Sequence, residues 1–351
     1  MKRGWCPGVH APMPSGDGLL IRVKPFGGRL TADALRTLAI VAAGCGNGAV
    51  ELTGRGNIQL RGLSQVTAPL AAAALIDAGL ADPDPAREAR RNVIAVPPCD
   101  DVLVGEIEAV LAAIPGLAAK FCVAVGAARA DIQVRGDRLL VNGRTALPLS
   151  RASGEGGRDI PEAVRRLAEA AGGQRLRALA APVIPGFDWQ ADDTPPPPPP
   201  LPTGLVLGLP FGQTEAAALL RLADLAAAAT LPLRTTPWRS FYLQDTHDPA
   251  PFAAAGFITD ADDPRRSIPA CAGAPACARA SVPARTDAAY LAARGLRGIH
   301  VSGCAKGCAH PGATTTLVGS GGTYGLVRHG RAGDPTTVAG LTIAQAAGLL
   351  A

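Results

Sequence analysis

The chain predicts an α+β fold in two pseudo-symmetric halves, and three observations carry that expectation. A plan of strand, P-F-G, helix and polar β segment over residues 18–62 recurs over 203–245. A proline run, T-P-P-P-P-P-P-L-P at 194–202, separates the two copies as a stiff polyproline spacer. Each copy is followed by a further stretch of mixed helical and strand pattern, and only the second of these holds closely paired cysteines. Boundaries then fall at 1–85, 86–193, a linker at 194–202, 203–258 and 259–351.

Taken in order, residues 1–17 are rich in Pro and Gly and read as extended. Leu19 to Lys24 alternates, with Ile21 and Val23 opposite Arg22 and Lys24, as a strand does. Thr31 suits an N-cap for a helix through about Ala43, with Leu35, Leu38, Ala39 and Ala42 at helical spacing, and G-C-G-N-G at 44–48 ends it. Residues 51–62 keep a period of two, placing Glu51, Thr53, Arg55, Asn57, Gln59 and Arg61 on one face of a strand. Such a face meets water or a polar ligand.

In the intervening stretch, R-N-V-I-A-V begins at Arg91, a helix covers Val102 to Ile114, strands occupy 120–125 and 131–134, and a helix spans 161–171. The second copy has a strand at Leu205–Leu209, P-F-G at 210–212, a helix opened by Thr214 and a polar β segment at 233–244. There Pro237 and Trp238 stand where the first copy has Gly54 and Arg55, so the copies present different chemistry. R-S-I-P-A-C at 266–271 echoes R-N-V-I-A-V, and R-G-I-H-V-S-G at 297–303 loosely echoes K-F-C-V-A-V-G.

Composition bounds the function classes. The 48% hydrophobic content of a 351-residue chain supports a real core, and the net charge of +5 with no Lys/Arg run argues against a nucleic-acid stripe. The mild positive charge is compatible with an anionic small molecule. M-K-R-G-W-C-P-G lacks the apolar region of a signal peptide, and no run of about 18 apolar residues predicts a membrane span. Eight cysteines without an export signal point to the reducing cytoplasm and to metal ligation rather than disulfides.

The cysteines carry the chemistry. Five residues lie between Cys271 and Cys277, three between Cys304 and Cys308, and 26 between the two pairs. Structural zinc usually takes tighter pairs. Wider spacing with Ala and Gly filler, including Gly273, Gly303 and Gly307, leaves room for an iron–sulfur cluster whose sulfides also need backbone neighbours. A [4Fe–4S] cluster is therefore expected on these four residues, with zinc and disulfides as the alternatives. Cys6, Cys45, Cys99 and Cys122 are unpaired by spacing and read as small hydrophobes.

Arg55, Arg61, Arg91 and Lys120 are the candidates for an anion-binding, substrate-holding or catalytic set; the bland alternative is a solvated surface. His300 and His310 flank the cysteine turns and suit either packing or a second metal. His10, His247 and His329 have no supporting constellation. G-S-G-G-T-Y-G at 319–325 matches neither a dinucleotide-binding fingerprint nor a P-loop.

Together these residues resemble the sulfite and nitrite reductase superfamily. C-x5-C and C-x3-C resemble its cluster signature, and T-G-R-G-N-I-Q-L resembles the strand motif whose Arg, here Arg55, faces a tetrapyrrole. R-N-V-I implies Arg91, and A-K-F-C implies Lys120, with Cys122 standing where a second Lys would be. R-G-W-C-P-G followed by P-M-P-S-G-D-G-L-L-I-R-V resembles the precorrin-3B synthase branch, oxygen-using enzymes of cobalamin biosynthesis. The resemblance implies a nitrite/sulfite reductase-like fold in which each half is a ferredoxin-like half-domain followed by an α/β lobe, the first lobe without a cluster. It implies a [4Fe–4S] cluster coupled to a mononuclear non-haem iron, an external electron donor, and O2-dependent hydroxylation of precorrin-3A. The alternatives are a reductase holding sirohaem, with Cys308 bridging cluster and haem, and a cluster-bearing electron carrier.

Overall fold

The computed structural model describes residues 6–136, 138–142, 144–148, 159–176, 187–191, 204–230, 233–246 and 248–351. The proline run expected as a linker lies outside them. Among the described residues no helix is long and apolar enough to cross a membrane.

The first copy contains β1 (Met13–Ser15), β2 (Gly18–Val23), a 3-10 turn at Phe26–Gly28, β3 (Arg29–Leu30), α1 (Ala32–Cys45), β4 (Ala49–Leu52), β5 (Ile58–Leu63) and α2 (Thr67–Asp77). Thr31 does cap α1, its side chain accepting from the Ala34 N–H. The expected single polar strand over 51–62 is instead a hairpin. Thr53 Oγ1 accepts from the N–H groups of Arg55 and Asn57, and Gly56 takes φ +69°, so the chain folds back between β4 and β5. Period two runs through the turn without marking it, because Gly54 and Gly56 fall on the face of Leu52, Ile58 and Leu60 and leave the polar alternation unbroken.

α3 (Pro85–Arg90) leads into the first lobe. Its sheet is built from β6 (Val93–Ala95), β7 (Val123–Val125), β8 (Ile132–Arg135), β9 (Arg138–Val141), β10 (Arg144–Pro148) and β11 (Phe187–Ala191), with α4 (Asp101–Ala113) and α5 (Ile160–Ala170) packed together over a separate apolar core. β6, β7 and β8 pair parallel, and the rest antiparallel.

The second copy repeats the element order of the first: β12 (Gly204–Gly208), a 3-10 turn at Pro210–Gly212, β13 (Gln213–Glu215), α6 (Ala216–Ala229), β14 (Leu233–Thr235) and β15 (Ser240–Gln244). The repeated P-F-G, however, is out of step with the structure by one residue. The left-handed pair Gly27–Gly28 of the first turn corresponds to Phe211–Gly212 of the second. Thr214 likewise does not open α6. It lies in β13, and Glu215 holds the cap position.

β13 and β3 cross between the copies. Each short strand leaves its own copy and joins the other copy's sheet: Arg29–Leu30 pairs with Leu233–Arg234, and Gln213–Glu215 pairs with Ala49–Glu51. The sheets are therefore β1-β2-β5-β4-β13 and β12-β15-β14-β3. α1 packs on α6, and one apolar core draws on both copies.

After α7 (Ala250–Ala254), the second lobe has α8 (Ala284–Ala292), a sheet of β16 (Ile299–Ser302), β17 (Thr314–Ser320), β18 (Thr323–Gly330) and β19 (Val338–Leu341), and α9 (Ile343–Leu350). A parallel bridge between Ala270 and Val301 adds the stub of a further strand at its edge. Cys271 N–H donates to Val301 O there, as Val96 N–H donates to Val125 O in the first lobe, so the echo of 91–96 in 266–271 is a true structural repeat.

Arg91 fastens the first lobe to the first copy. It is 3% exposed, donates through Nε and Nη2 to Glu88 Oε2 at 3.0 and 2.7 Å, and reaches Lys24 O at 2.8 Å. Its guanidinium also lies 3.5 Å from the centre of the Phe26 ring. Removing one partner of a buried ion pair leaves an uncompensated charge and costs about 3–5 kcal/mol. Arg91→Ala is accordingly expected to lower unfolding free energy by that amount in urea titrations. A loss below about 1 kcal/mol, the range of an exposed pair, would contradict this reading.

Candidate cluster and anion-binding cavity

The cysteines come to one cavity through two loops of the second lobe. Cys271 leaves the strand stub at Ala270, and Cys277 follows in a turn in which its N–H donates to Gly273 O at 2.8 Å. Cys304 and Cys308 occupy the tight turn after β16. Gly303 N–H donates to Cys271 Sγ at 3.0 Å, tying the two loops together at a sulfur. No larger residue fits at 303, because a Cβ would lie 2.6 Å from Ala280 Cβ and 3.3 Å from Cys271 Sγ. Burial pushes the Cys308 thiol up, and Cys271, Cys304 and Cys277 act in the same direction against Lys306.

All four line a cavity of about 360 Å³. Among the described residues, no three Cys, His, Asp or Glu side chains converge as the ligands of a single ion. Four thiols at one cavity, carried on two loops with small filler residues, are a donor set that would suit a cluster.

The opposite wall belongs to the first copy. Glu51 and Gln59 are cross-strand partners in β4 and β5, and the Gln59 amide donates to Glu51 Oε2 at 2.8 Å. Burial alone would raise the Glu51 carboxyl, but Arg285 at 2.7 Å and Arg61 at 3.6 Å outweigh it and hold it below its ordinary value. Arg61 donates to both Asp17 oxygens at 2.9 Å, to Ser15 Oγ at 2.7 Å and to Ala276 O inside the cysteine loop. Arg22, Arg239, Arg279 and Lys306 line the same cavity. Six cations against one paired carboxylate suit a polyanionic ligand.

The structure separates the sequence-derived cations. Arg61 reaches the cysteine cavity but is saturated by protein partners. Arg55 is half-buried at the hairpin tip and lines an adjoining recess with Cys6, Lys24, Asn57, Asn92 and Ala119. Arg22 borders both spaces. Arg91 lines neither, and half-buried Lys120 follows Ala119 at the edge of the recess without lining it. Arg22, Arg239, Arg279, Arg285 and Lys306 were not singled out by the sequence. Lys306 between Cys304 and Cys308, and Arg279 and Arg285 just past Cys277, were the available signals. Cys122 is fully buried, as a small hydrophobe would be, and burial raises its thiol.

His300 lies beneath the Cys304–Cys308 turn, fully buried, with neither ring nitrogen hydrogen-bonded among the described residues. Its ring centre is 5.8 Å from that of His310. Burial, then His310 and Arg239, lowers it to about 4 from 6.5. The unfolded chain takes up this proton first. Neutral His300 thus favours the fold above pH 6.5, and that stability is lost as pH falls toward 4, by about 3 kcal/mol in all. His300→Leu should flatten this part of the stability profile of the apo-protein, followed by urea titration. Parallel profiles for variant and wild type between these limits would refute the assignment.

Comparison with known proteins accords with this architecture. The model of the nitrite/sulfite reductase ferredoxin-like half domain matches residues 11–78. In fold the chain is similar to the NirA protein of Mycobacterium tuberculosis, with a TM-score of 0.64 and 18% identity over 92% of this chain and 76% of that one. It is 33% identical to a precorrin-3B synthase from Sinorhizobium sp over 95% of this chain and 84% of that protein. The chain therefore belongs to the precorrin-3B synthase family, on a nitrite/sulfite reductase-like fold.

Proposed function

We propose that the chain is an oxygen-dependent precorrin-3B synthase, hydroxylating precorrin-3A at C20 and closing a γ-lactone on ring A. The observation that carries this reading is the single cavity shared by four thiols and a surplus of cations. One atom of O2 enters the substrate and the other leaves as water, which requires two protons and two electrons from an external donor. Bound to Cys271, Cys277, Cys304 and Cys308, a [4Fe–4S] cluster supplies one-electron transfer. No residues are assigned to a mononuclear iron, since no three-ligand site is formed among the described residues, and no step is routed through it.

The chain's own contribution is binding and orientation. Arg55 at the recess and Arg22 at both spaces supply charge for the substrate's carboxylates, with Lys120 at the edge as a compact point charge. Arg61 and Glu51 are occupied with each other, Asp17 and Arg285, and keep the floor rigid. Arg91 acts at one remove, by fixing α3 and the Lys24 backbone beside the recess.

Anaerobic incubation with precorrin-3A followed by O2 should yield a product one oxygen atom heavier by mass spectrometry. An unchanged mass together with intense Soret-region bands in the purified protein would overturn the reading in favour of a sirohaem reductase. Cys271→Ser should lower iron and sulfide content, and full retention would remove that ligand from the set. Arg55→Ala should weaken tetrapyrrole binding roughly ten- to hundredfold, the equivalent of about 1.5–3 kcal/mol for a charge-assisted contact, with the iron content unchanged. Equal affinity for wild type and variant would mean that Arg55 faces only solvent.

A further inference from the structure

The hairpin turns of the two copies are built alike. Thr53 N–H donates to Asn57 O at 2.9 Å and Thr236 N–H to Ser240 O at 3.0 Å. Thr53 Oγ1 accepts from Arg55 N–H, and Thr236 Oγ1 from Trp238 N–H. The fourth residue of each turn is left-handed: Gly56 at φ +69° and Arg239 at φ +56°. Glycine adopts this conformation freely, whereas a residue with a Cβ is strained in it. A second concession lies beneath the arginine. Gly212, at φ +79°, is so close that a Cβ there would stand 3.0 Å from Arg239 Cδ. The backbone thus accommodates an arginine twice over at a position where the first copy is content with glycine.

The side chain enters the wall of the cysteine cavity. Its Nη2 donates to Ala309 O at 2.9 Å, on the peptide between Cys308 and His310. Among the described residues no carboxylate forms an ion pair with it. Arg285, Glu51, Cys271 and Cys308 line the same cavity. Glu51 is already held by Arg285 and Gln59, so the positive charge of Arg239 is left to act on the thiolates.

We infer that Arg239 is a cation that helps to set the reduction potential of the cysteine-held cluster, an inference that rests on the cluster assignment proposed above. A fixed positive charge beside the thiolates favours the added electron, and low surrounding polarity magnifies the effect. The competing role is a plain strut holding the Ala309 carbonyl.

The test uses the full-length protein with its cluster reconstituted, as wild type, R239G and R239K. Iron and sulfide are determined first, then the midpoint potential by spectroelectrochemical titration. In R239G the one-electron equilibrium should move about tenfold toward the oxidised form, which is about 59 mV, while R239K keeps most of the wild-type potential. The apo-form of R239G should melt no lower than wild type, because glycine relieves the turn; a strut would lose stability instead. A wild-type potential in fully loaded R239G overturns the inference. If R239G does not retain the cluster, R239Q and R239K decide, and equal potentials in those two overturn it. If loaded wild type itself lacks iron and sulfide, the cluster assignment has failed, and the inference with it.

Discussion

The reciprocal exchange of two short strands is the constraint on which the remaining architecture hangs. β3 completes the second copy's sheet and β13 completes the first's, so neither sheet is whole without the other copy. Because α1 and α6 also share one core, the two copies cannot slide without breaking backbone ladders and opening apolar packing together. That rigidity matters at the far side of the β4–β5 hairpin. Its polar residues meet the cysteine loops of a lobe more than two hundred positions later in the chain, and Arg61 can reach Ala276 O only if the register of the whole assembly is fixed.

Buried charge does the fastening at each lobe, by the same chemistry and to different ends. At the first lobe, Arg91, Glu88 and Glu108 bind α3 and α4 to the turn after β2, with Gly27 N–H donating to Glu108 at 3.0 Å. At the second, Glu51 takes Arg285 from one side and Arg61 from the other. Such pairs add little net stability over apolar packing, since desolvation offsets most of the attraction. Their value here is geometric: each is satisfied in one arrangement only. Glu88 of the first network borders the Arg55 recess, and the second network lines the cysteine cavity.

Much of this was legible along the chain. The Thr31 cap, the helices, the repeated plan and the echo of Arg91–Val96 in Arg266–Cys271 all depend on local pattern, which a sequence displays directly. The four cysteines were legible because spacing within a turn determines whether sulfurs can meet. The hairpin at Thr53–Asn57 was hidden because its two glycines fall in step with the alternation of the flanking strands. The exchange of β3 and β13 was hidden because pairing partners far apart in sequence leave no periodicity. Arg91 and Arg55 look alike in sequence. Only the acid three residues before Arg91, on the same helical face, hints that one guanidinium is sealed and the other half-open.

The divergence of the two turns gives the asymmetry a physical reading. Both copies keep the threonine that organises the turn and the left-handed residue that closes it. In the first copy the side chain between the glycines is Arg55, free to enter a recess because Gly54 and Gly56 place nothing beside it. In the second copy Pro237 stiffens the approach, Trp238 stands 41% exposed at the tip, and the arginine moves to the left-handed position, where its side chain is carried inward toward the cysteines. A one-residue shift of the cation within the same turn therefore changes what it can touch, from the recess to the cysteine wall. Duplication supplied two equivalent frames, and the placement of a single guanidinium in each puts one at the recess and the other beside the cysteines.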